Sequence, residues 1–507
     1  MTTAWDEEHD VVVVGSGAGA MTGALVAAKR GLRTVVLEKT SRLGGTSAYS
    51  GAAIWLPGTA VQERAAIGDS QESARTYLRA VVGDLTAARQ EAFLAHAPAL
   101  VSLLEADPAI EFAWRAFPDY FAAPGRVEVG RSFVPRDLPQ EQLGELAKLV
   151  RPSVDLDRRG DDHRRAPLNG GRALIGRVLL AFDRAGGAVR TGAAVQRLVL
   201  DGGRVVGVEA STPTGRIRVQ ARRGVLLAAG GFERAPRLRS AHGVPGSAQW
   251  SMAPEGTNTG EPMRAAVEVG AAVELMDQAW LCPGLPLPDG HCAFTLGLRG
   301  GLVVDGAGQR YANESLPYDR MGREMAKAAN RIPSYFLFDS RHDGDLPAIT
   351  VPGATTSDHL AAGTWQRADT LHELAELTRL PAEALRATVE RFNAFAESGV
   401  DEDFHRGEDA YDRFFATPGD RPNPALVPVD RPPFYAARLV LSDLGTKGGL
   451  RTDSSGRVLH ENGHHIPGLY ATGNTAASMA GEVYPGPGIP IGTAMVFGSR
   501  AVADMDS

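Results

Sequence analysis

Glycines near the amino terminus have the composition and spacing of a phosphate-binding loop. An apolar run at residues 11–14 leads into Gly15-Ser16-Gly17, and a run of small residues follows from 18 to about 29. Glycines permit a tight turn there and let a pyrophosphate approach the backbone at the start of a helix. The chemistry that this spacing predicts is dinucleotide binding.

Two strands and one helix must position this loop. Residues 11–14 predict a strand buried on both faces, residues 18 to about 29 predict a helix, and "TVVLE" predicts a second strand that ends at Glu38. An acid at this point binds a ribose hydroxyl in such units, although a strand-end carboxylate can also be merely solvated. The predicted cofactor-binding residues here are Gly15, Gly17, Ala18, Gly19, Glu38, Lys39 and Ala20, which replaces the usual third glycine.

Further glycine-rich loops follow predicted strands later in the chain. They occur in "LGGTSAYSG", "GVLLAAGG" and "GLYATGN". Each loop alone could be an ordinary turn, but their order along the whole chain favours FAD over NAD, because FAD is long and must be held from both ends. We expect FAD to be bound non-covalently. The further predicted cofactor-binding residues are Gly44, Gly45, Thr46, Ser47, Gly51, Gly230, Gly231, Gly473, Asn474, Ile489 and Ile491.

Length and composition limit the class of protein. With 507 residues, 43% of them hydrophobic and 22% charged, we expect a globular protein of about two or three domains. The net charge of −7 provides no basic surface for nucleic acid, and no apolar run reaches the roughly 18 residues of a membrane span. The start, "MTTAWDEEHD", is unlike a secretory signal, so we expect a cytoplasmic protein. Peripheral association with a membrane stays open.

The two cysteines do not indicate a metal or redox site. Cys282 and Cys292 are separated by nine residues and form no CxxC motif. This spacing favours ordinary thiols over a metal-binding or redox pair, and we expect no metal.

Long strings across nearly the whole chain resemble one family. They are "VVGSGAGA", "GGTSAYSG", "IWLPG", "FPDYF", "GVLLAAGGFE", "LMDQAW", "NESLPYDR", "SDLGTKGGLRTD", "LYATGNTAAS" and "YPGPGIPIGTAM". Their order is similar to that of flavoproteins of the fumarate reductase and succinate dehydrogenase type. Among these, the chain most resembles the 3-ketosteroid Δ1-dehydrogenases.

The resemblance implies an α/β fold with two domains. It implies a Rossmann-like FAD-binding domain with a parallel sheet, which is discontinuous, and an inserted α+β catalytic domain. We place the FAD-binding domain at residues 1–277 and 441–507 and the catalytic domain at 278–440. Within the insertion, "GGLVVD" and "PSYFLFD" predict strands, and residues 370 to about 398 predict one long amphipathic helix.

The resemblance also implies the reaction, the 1,2-dehydrogenation of a 3-ketosteroid with transfer of electrons to an unidentified acceptor. The reaction needs a polarised ketone, a base for the α-proton and a hydride acceptor, which FAD supplies. Tyr318 in "NESLPYDR" is the implied base for the proton at carbon 2. A free phenol has a pKa near about 10, so the base needs a partner, and Tyr120 in "PDYF" is implied to hydrogen-bond to it.

The string "YPGPGIPIGTAM" is implied to bind the ketone oxygen. Tyr484 would donate its hydroxyl. Because the prolines have no N–H, the donors left before Ile491 are Gly486, Gly488 and Ile489, and the resemblance assigns the N–H of Gly488. A helix beginning near Ile491 would add its positive end. Hydride would pass from carbon 1 to flavin N5 on the face opposite the proton abstraction.

An apolar pocket for the steroid and several alternatives complete the prediction. One alternative is a related dehydrogenase acting at another ring position or on bile-acid or sterol derivatives. A second is a fumarate-reductase-like enzyme, although the segment around Tyr484 offers no arginine or histidine to bind two carboxylates. A third is a flavin-binding protein without turnover. The pocket candidates, all of types common in cores, are Ile54, Trp55, Phe117, Phe121 and Phe294.

Overall fold

The computed structural model describes residues 4–161, 167–416 and 419–507. These divide into two compact units. The first comprises the chain up to Val244 together with Ala253–Ala279 and Gly445–Ser507, and the second comprises Pro245–Met252 and Trp280–Leu444.

The strands and helices are numbered in chain order. The strands are β1 Glu7–Val14, β2 Thr34–Leu37, β3 Phe112–Trp114, β4 Phe133–Pro135, β5 Ala188–Arg190, β6 Ala194–Asp201, β7 Arg204–Thr212, β8 Gly215–Leu227, β9 Val273–Glu274, β10 Ala279–Pro286, β11 Cys292–Leu296, β12 Leu302–Val304, β13 Ser334–Asp339, β14 Ile349–Val351, β15 Trp365–Ala368, β16 Phe434–Thr446, β17 Gly449–Leu450, β18 Arg457–Leu459 and β19 His465–Ala471. The helices are α1 Ala18–Lys29, α2 Gly45–Tyr49, α3 Ala60–Ala65, α4 Gln71–Val82, α5 Ala87–Glu105, α6 Val154–Arg158, α7 Gly170–Arg184, α8 Pro236–His242, α9 Glu261–Val267, α10 Tyr318–Ala326, α11 Thr356–Ala361, α12 Leu371–Thr378, α13 Ala382–Ser398, α14 Ala410–Phe414 and α15 Ile489–Asp506.

The first unit is built on a largely parallel sheet. Its strand order is β18-β19-β8-β1-β2-β5, and β7 joins β6 to β8. Strand β1 lies between β2 and β8 and is parallel to both. The βαβ unit predicted from the amino-terminal sequence is confirmed, because β1, α1 and β2 follow in that order and the residues of β2 are all buried.

Helices α1 and α15 pack together through glycines. A Cβ placed on Gly19 would lie 2.7 Å from the carbonyl oxygen of Ala494, and one on Gly23 would lie 3.1 Å from that of Gly498. No side chain fits in such a contact, so the small residues of α1 allow the two helix backbones to approach closely. This packing joins the two ends of the chain in one unit.

The second unit has a different sheet. Its strand order is β12-β13-β16-β10-β11-β14, with β15 paired to β16, and the pairs β12-β13, β13-β16 and β10-β11 are antiparallel. The predicted strands in "GGLVVD" and "PSYFLFD" are confirmed as β12 and β13. Apolar residues of β12, β13, α12 and α13 form a common core, which includes Leu302, Leu337, Leu374, Leu385 and Phe392.

The single long helix predicted for residues 370 to 398 is wrong. The structure has two helices, α12 and α13, separated at residues 379–381. Arg379 has a left-handed backbone with φ of 60°, and Pro381 precedes the first turn of α13. A left-handed residue ends a helix and proline is tolerated only at its start, so the helix breaks here although the apolar periodicity continues across the break.

None of the helices that the structure describes is long and apolar enough to cross a bilayer. The cysteines Cys282 and Cys292 are both buried and neither forms a disulfide, and burial raises the pKa of Cys282.

Candidate active site

The first glycine loop lies at the carboxyl end of β1. The Gly15 N–H donates to the carbonyl of Leu37 over 2.8 Å, and the backbone has φ of 98°. A Cβ on Gly15 would lie 2.7 Å from the Cα of Ala229. Only glycine fits this position, both for its conformation and for its contact with the neighbouring strand end.

Ser16 connects this loop to the second one. Its hydroxyl donates a 2.5 Å hydrogen bond to Oε2 of Glu38 and accepts the N–H of Gly44 over 3.0 Å. The other carboxylate oxygen of Glu38 accepts from the N–H and hydroxyl of Thr40, at 2.8 and 3.0 Å. Glu38 is therefore held in a fixed orientation at the end of β2 and retains acceptor capacity for a further donor. Ser16 is not among the residues predicted from the sequence, although its hydroxyl between two glycines was an available signal.

Ser47 contacts the start of α1. Its hydroxyl accepts the N–H of Ala18 over 3.1 Å, and a Cβ on Gly17 would lie 3.3 Å from it. A Cβ on Gly45 or Gly51 would meet nothing within 4 Å. The second glycine loop thus borders open space at Gly45 and Gly51.

Two other predicted cofactor residues contact residues from a distant part of the chain. Lys39 donates to the hydroxyl of Thr259 over 2.9 Å and lies 3.6 Å from Glu261. The hydroxyl of Thr46 accepts from Nδ2 of Asn258 over 3.4 Å. Residues 258–261 therefore contact both the end of β2 and the second glycine loop, which no spacing in the sequence indicates.

The glycine pair after β8 lies against a buried polar cluster. Glu233 is fully buried and accepts from Asn258 and from the N–H and hydroxyl of Thr446. A Cβ on Gly230 would lie 2.6 Å from Asn258, and one on Gly231 would lie 2.6 Å from Glu233. Both glycines let the backbone pass directly beside this cluster.

Thr475 joins the third loop to the same strand end. Its hydroxyl accepts the N–H of Ala229 over 2.9 Å and donates to the carbonyl of Gly230 over 2.8 Å. Gly473 has φ of 62°. A Cβ on Gly445 would contact Nδ2 of Asn474. The predicted pairs Gly230-Gly231 and Gly473-Asn474 therefore meet at one edge of the sheet, where the carboxyl ends of β8 and β19 lie side by side.

Residues 484–488, which we call the ketone segment, are held by their carbonyl groups. The carbonyl of Pro485 accepts from the Tyr77 hydroxyl over 2.7 Å and from the Tyr120 N–H over 2.9 Å. The carbonyl of Pro487 accepts from Ser132 over 2.5 Å. These contacts fix the path of the segment while using none of its own N–H groups.

Two N–H groups of the ketone segment have no protein acceptor. Gly486 and Gly488 are both buried, and among the described residues neither N–H donates a hydrogen bond. The N–H of Ile489 donates to the carbonyl of Gly486 over 3.3 Å. A buried donor without a partner costs about 1–3 kcal/mol, which indicates a ligand at these amides. The structure thus reduces the three candidate backbone donors to two.

Gly488 is also the residue before α15, which begins at Ile489 rather than near Ile491. It has φ of 93°, and a Cβ there would lie 2.7 Å from the N of Ile54. The helix therefore directs its amino-terminal end toward the same segment, and Ile489 lies buried in the first turn. Ile491 is in that turn as well.

Tyr120 and Tyr484 are neighbours in the first unit. Their rings lie 5.2 Å apart, edge to face at 64°, and both side chains are buried. Phe117 packs against Tyr120 at 6.0 Å. The structure thus brings together two of the three tyrosines that the resemblance implied.

Tyr318 belongs to the second unit. It is the first residue of α10, after Pro317, and its ring meets that of Phe294 edge to face at 4.9 Å. Pro317 places the start of the helix, because proline cannot continue one from within. The hydrogen bond expected between Tyr120 and Tyr318 joins residues of different units and stays a prediction.

The five pocket candidates differ in burial. Ile54 and Trp55 are fully buried, and Trp55 stacks on Phe93 at 6.2 Å. Phe117, Phe121 and Phe294 are half-buried and so retain exposed ring surface. The role of all five in a steroid pocket stays a prediction.

The residues at the edge of the first sheet fit FAD. The N–H groups of Gly17 and Gly45 have no acceptor among the residues that the structure describes, and a Cβ on Gly45 would meet nothing within 4 Å. Free amides at the start of a helix suit a pyrophosphate, and the Glu38 carboxylate suits a ribose hydroxyl. This geometry can hold a dinucleotide.

Comparisons with known proteins agree with this geometry. A family model described as an FAD binding domain matches residues 10–491. The 3-oxosteroid 1-dehydrogenase of Rhodococcus opacus is 45% identical over 99% of both chains, and that of Mycobacterium tuberculosis is 40% identical over 98% of both. The crystal structure of 3-ketosteroid Δ1-dehydrogenase from Sterolibacterium denitrificans in complex with 1,4-androstadiene-3,17-dione is similar with a TM-score of 0.91 and 32% identity, over 98% of this chain and 99% of that one.

The fold, the glycine loops and the family model define a flavoprotein that binds FAD. The chain belongs to the 3-oxosteroid 1-dehydrogenase family of these flavoproteins. The resemblance stated from the sequence strings is thereby confirmed, as are the α/β fold and the FAD cofactor.

Proposed function

We propose that this protein dehydrogenates 3-ketosteroids between carbons 1 and 2, converting a 3-oxo-4-ene to a 1,4-diene. The observation that carries the proposal is the pair of free, buried amides at Gly486 and Gly488, in the same segment as Tyr484. The activity for which the relatives are named supports it, because they match this chain over nearly its full length.

The first unit would hold FAD. Its pyrophosphate would lie at the amides of Gly17 and Gly45, and a ribose hydroxyl would donate to Glu38. Bound FAD supplies the acceptor for the hydride that the substrate loses. The loops that end at Gly231 and Asn474 would contact the cofactor from the other end of the chain.

The ketone segment would bind the substrate carbonyl. The Tyr484 hydroxyl and the Gly488 N–H donate hydrogen bonds to the ketone oxygen. The hydrogen bonds from both donors strengthen as negative charge develops on that oxygen, so they acidify the proton at carbon 2. Removing one such donor from an oxyanion site costs about 10²–10³-fold in rate.

Tyr318 would remove the proton from carbon 2. A phenol must lose its proton to act as a base, and the free group has a pKa near about 10. A hydrogen bond from Tyr120 would stabilise the phenolate. In this proposal the catalytic domain, residues 278–440, provides the base. The FAD-binding domain, residues 1–277 and 441–507, binds FAD and provides the donors to the ketone.

Anaerobic mixing with androst-4-ene-3,17-dione tests the proposal. We expect the absorbance of oxidised flavin to disappear and mass spectrometry and NMR to identify the 1,4-diene. A desaturated product with its new double bond elsewhere would support the alternative ring position. Bleaching only by a reductant, with reoxidation by fumarate, would support the fumarate-reductase-like alternative.

A single variant then tests the base. Tyr318→Phe should still bind FAD and steroid but should bleach at least about 100-fold more slowly, because general base catalysis contributes about 10²–10⁴-fold. Undiminished bleaching would remove Tyr318 from this role.

A further inference from the structure

A fully buried ion cluster lies in the first unit. The side chains of Arg131, Asp69 and Asp119 are all 0% exposed. Nη1 of Arg131 lies 2.8 Å from Oδ1 of Asp69, and Nε lies 3.0 Å from Oδ2 of Asp119. Nη2 donates to the carbonyl of Gly125 over 2.6 Å. All three nitrogens of the guanidinium are therefore used, each in a different direction.

The same guanidinium lies over two aromatic rings. Its carbon is 5.0 Å from the ring centre of Trp55 and 5.6 Å from that of Tyr77. Asp119 accepts the indole N–H of Trp55 over 2.8 Å. Trp55 is thus held by the cation on its face and by the carboxylate at its edge.

Both residues donate a hydrogen bond to the ketone segment. The Tyr77 hydroxyl donates to the carbonyl of Pro485 over 2.7 Å, and the backbone N–H of Trp55 donates to the carbonyl of Gly488 over 3.3 Å. Arg131 is therefore connected to Pro485 through Tyr77 and to Gly488 through Trp55. These two positions lie at the ends of the stretch that carries the free amides.

Asp119 provides a third connection. A Cβ placed on Gly486 would lie 2.6 Å from the indole nitrogen of Trp55 and 2.8 Å from Oδ1 of Asp119, so the segment packs directly on this pair. Tyr120 follows Asp119 in the chain, and its N–H donates to the carbonyl of Pro485. Displacement of Asp119 would therefore move Tyr120 and the segment together.

We propose that Arg131 is a positioning residue for the ketone segment. It contacts none of the groups assigned to the reaction, and it aligns the Tyr484 hydroxyl and the Gly488 amide by fixing Trp55, Tyr77 and Asp119. Oxyanion donors are effective only when they are preorganised, so a small displacement weakens transition-state binding more than substrate binding. The inference rests on the proposed function, whose donors it serves.

Lysine at position 131 tests the inference. Arg131→Lys keeps the positive charge but loses the planar fork that contacts three partners at once. We expect kcat to fall about 10- to 100-fold, the range that a misplacement of about 1 Å produces, while KM changes less than about threefold. The FAD content and the absorption spectrum of the oxidised flavin should be unchanged.

Arg177 offers a matched control. It is also a buried arginine of the first unit, and it donates to three carbonyls, those of Arg136, Ala109 and Asp137, at 2.8, 2.6 and 2.9 Å. None of these belongs to the ketone segment. Arg177→Lys also breaks a three-partner contact of a buried guanidinium, so it should lower the Tm, but it should leave kcat within about twofold, because its three carbonyl partners lie outside the ketone segment.

The outcomes separate this inference from the proposed function. A wild-type protein that does not bleach with steroid contradicts the proposed function itself. If the wild type is active but Arg131→Lys keeps the wild-type kcat, only the role of Arg131 is overturned. The same holds if Arg177→Lys lowers kcat as much as Arg131→Lys does. If Arg131→Lys does not fold, Asp69→Asn replaces it, since Asp69 contacts Arg131 but not the ketone segment. It should then lower kcat with little change in KM, and an unchanged kcat overturns the inference.

Discussion

The hydroxyl of Ser16 lies 2.5 Å from the carboxylate of Glu38 and also accepts the N–H of Gly44. One side chain thus joins the end of β2 to both glycine loops that border the start of α1. The group expected to bind ribose and the amides expected to bind pyrophosphate are therefore held in one geometry.

Replacement of Ser16 by alanine should weaken FAD binding. The variant loses a hydrogen bond to a charged group, worth about 1.5–3 kcal/mol, which corresponds to a rise in Kd of about 10- to 100-fold. Titration of the apoprotein, followed by quenching of flavin fluorescence, measures the change. Ser398→Ala is the control, because that hydroxyl also donates one hydrogen bond and accepts one N–H, but to backbone groups of the second unit. Equal Kd values for the two variants would contradict the role of Ser16.

Removal of the Tyr77 hydroxyl should slow the reaction. Tyr77→Phe loses the bond to the Pro485 carbonyl and the bond from the Phe121 N–H, and leaves that buried carbonyl with one donor fewer. We expect kcat to fall about tenfold, since a lost hydrogen bond of about 1 kcal/mol or more loosens the ketone segment. Tyr470→Phe, which loses a 2.9 Å bond to Asp504, should keep full activity. Stopped-flow bleaching rates of the two variants measure the difference.

Replacement of Gly488 by alanine should strongly lower kcat/KM. Gly488→Ala places a Cβ against the carbonyl of Ala53 and 2.7 Å from the N of Ile54, which must displace the donor amide. We expect kcat/KM to fall more than about 100-fold. Gly463 has a similar φ of 90° with nothing within 4 Å, so Gly463→Ala isolates the backbone strain. It should cost about 1 kcal/mol of stability and no activity, and similar kinetics for both variants would argue against a steric effect.

The second unit should lose stability in acid through Glu314. Burial alone would raise the pKa of this carboxyl, but the charges and hydrogen bonds of Arg310 and Arg406 hold the pKa below its usual range. A group with a lowered folded pKa stabilises the fold above its unfolded pKa, about 4.3, and this stability is lost as the pH falls through the folded pKa. Unfolding midpoints in denaturant between pH 3 and 7 measure the loss.

Glu314→Gln is the matching variant. It should destabilise the protein at pH 7 by about 3–5 kcal/mol, because two buried arginines lose a shared partner, and it should flatten the acid dependence. Glu383→Gln, on an exposed carboxylate, is the control and should leave both quantities nearly unchanged. An acid dependence in Glu314→Gln as steep as that of the wild type would contradict the assignment.

The sequence by itself determined the parts of this protein that depend on local pattern. The βαβ unit and the strands in "GGLVVD" and "PSYFLFD" follow from residues that are close in the chain, and the FAD cofactor and the family follow from the order of such local motifs along the chain. Glycine spacing and apolar runs are local because they reflect the backbone conformation and burial of consecutive residues. The prediction of one long helix at 370–398 was wrong for the same reason, because the local apolar periodicity continues past the break at Arg379.

Only the tertiary structure decided which distant residues support the site. Nothing in the sequence joins Ser16 to Gly44, Tyr77 to Pro485 or Arg131 to Trp55, because these pairs depend on how separate segments pack. It also decided that, among the described residues, the amides of Gly486 and Gly488 have no acceptor whereas the Ile489 amide has one. Hydrogen-bond satisfaction is a property of the packed chain, so a donor left free for a ligand becomes visible only when every nearby acceptor has a position.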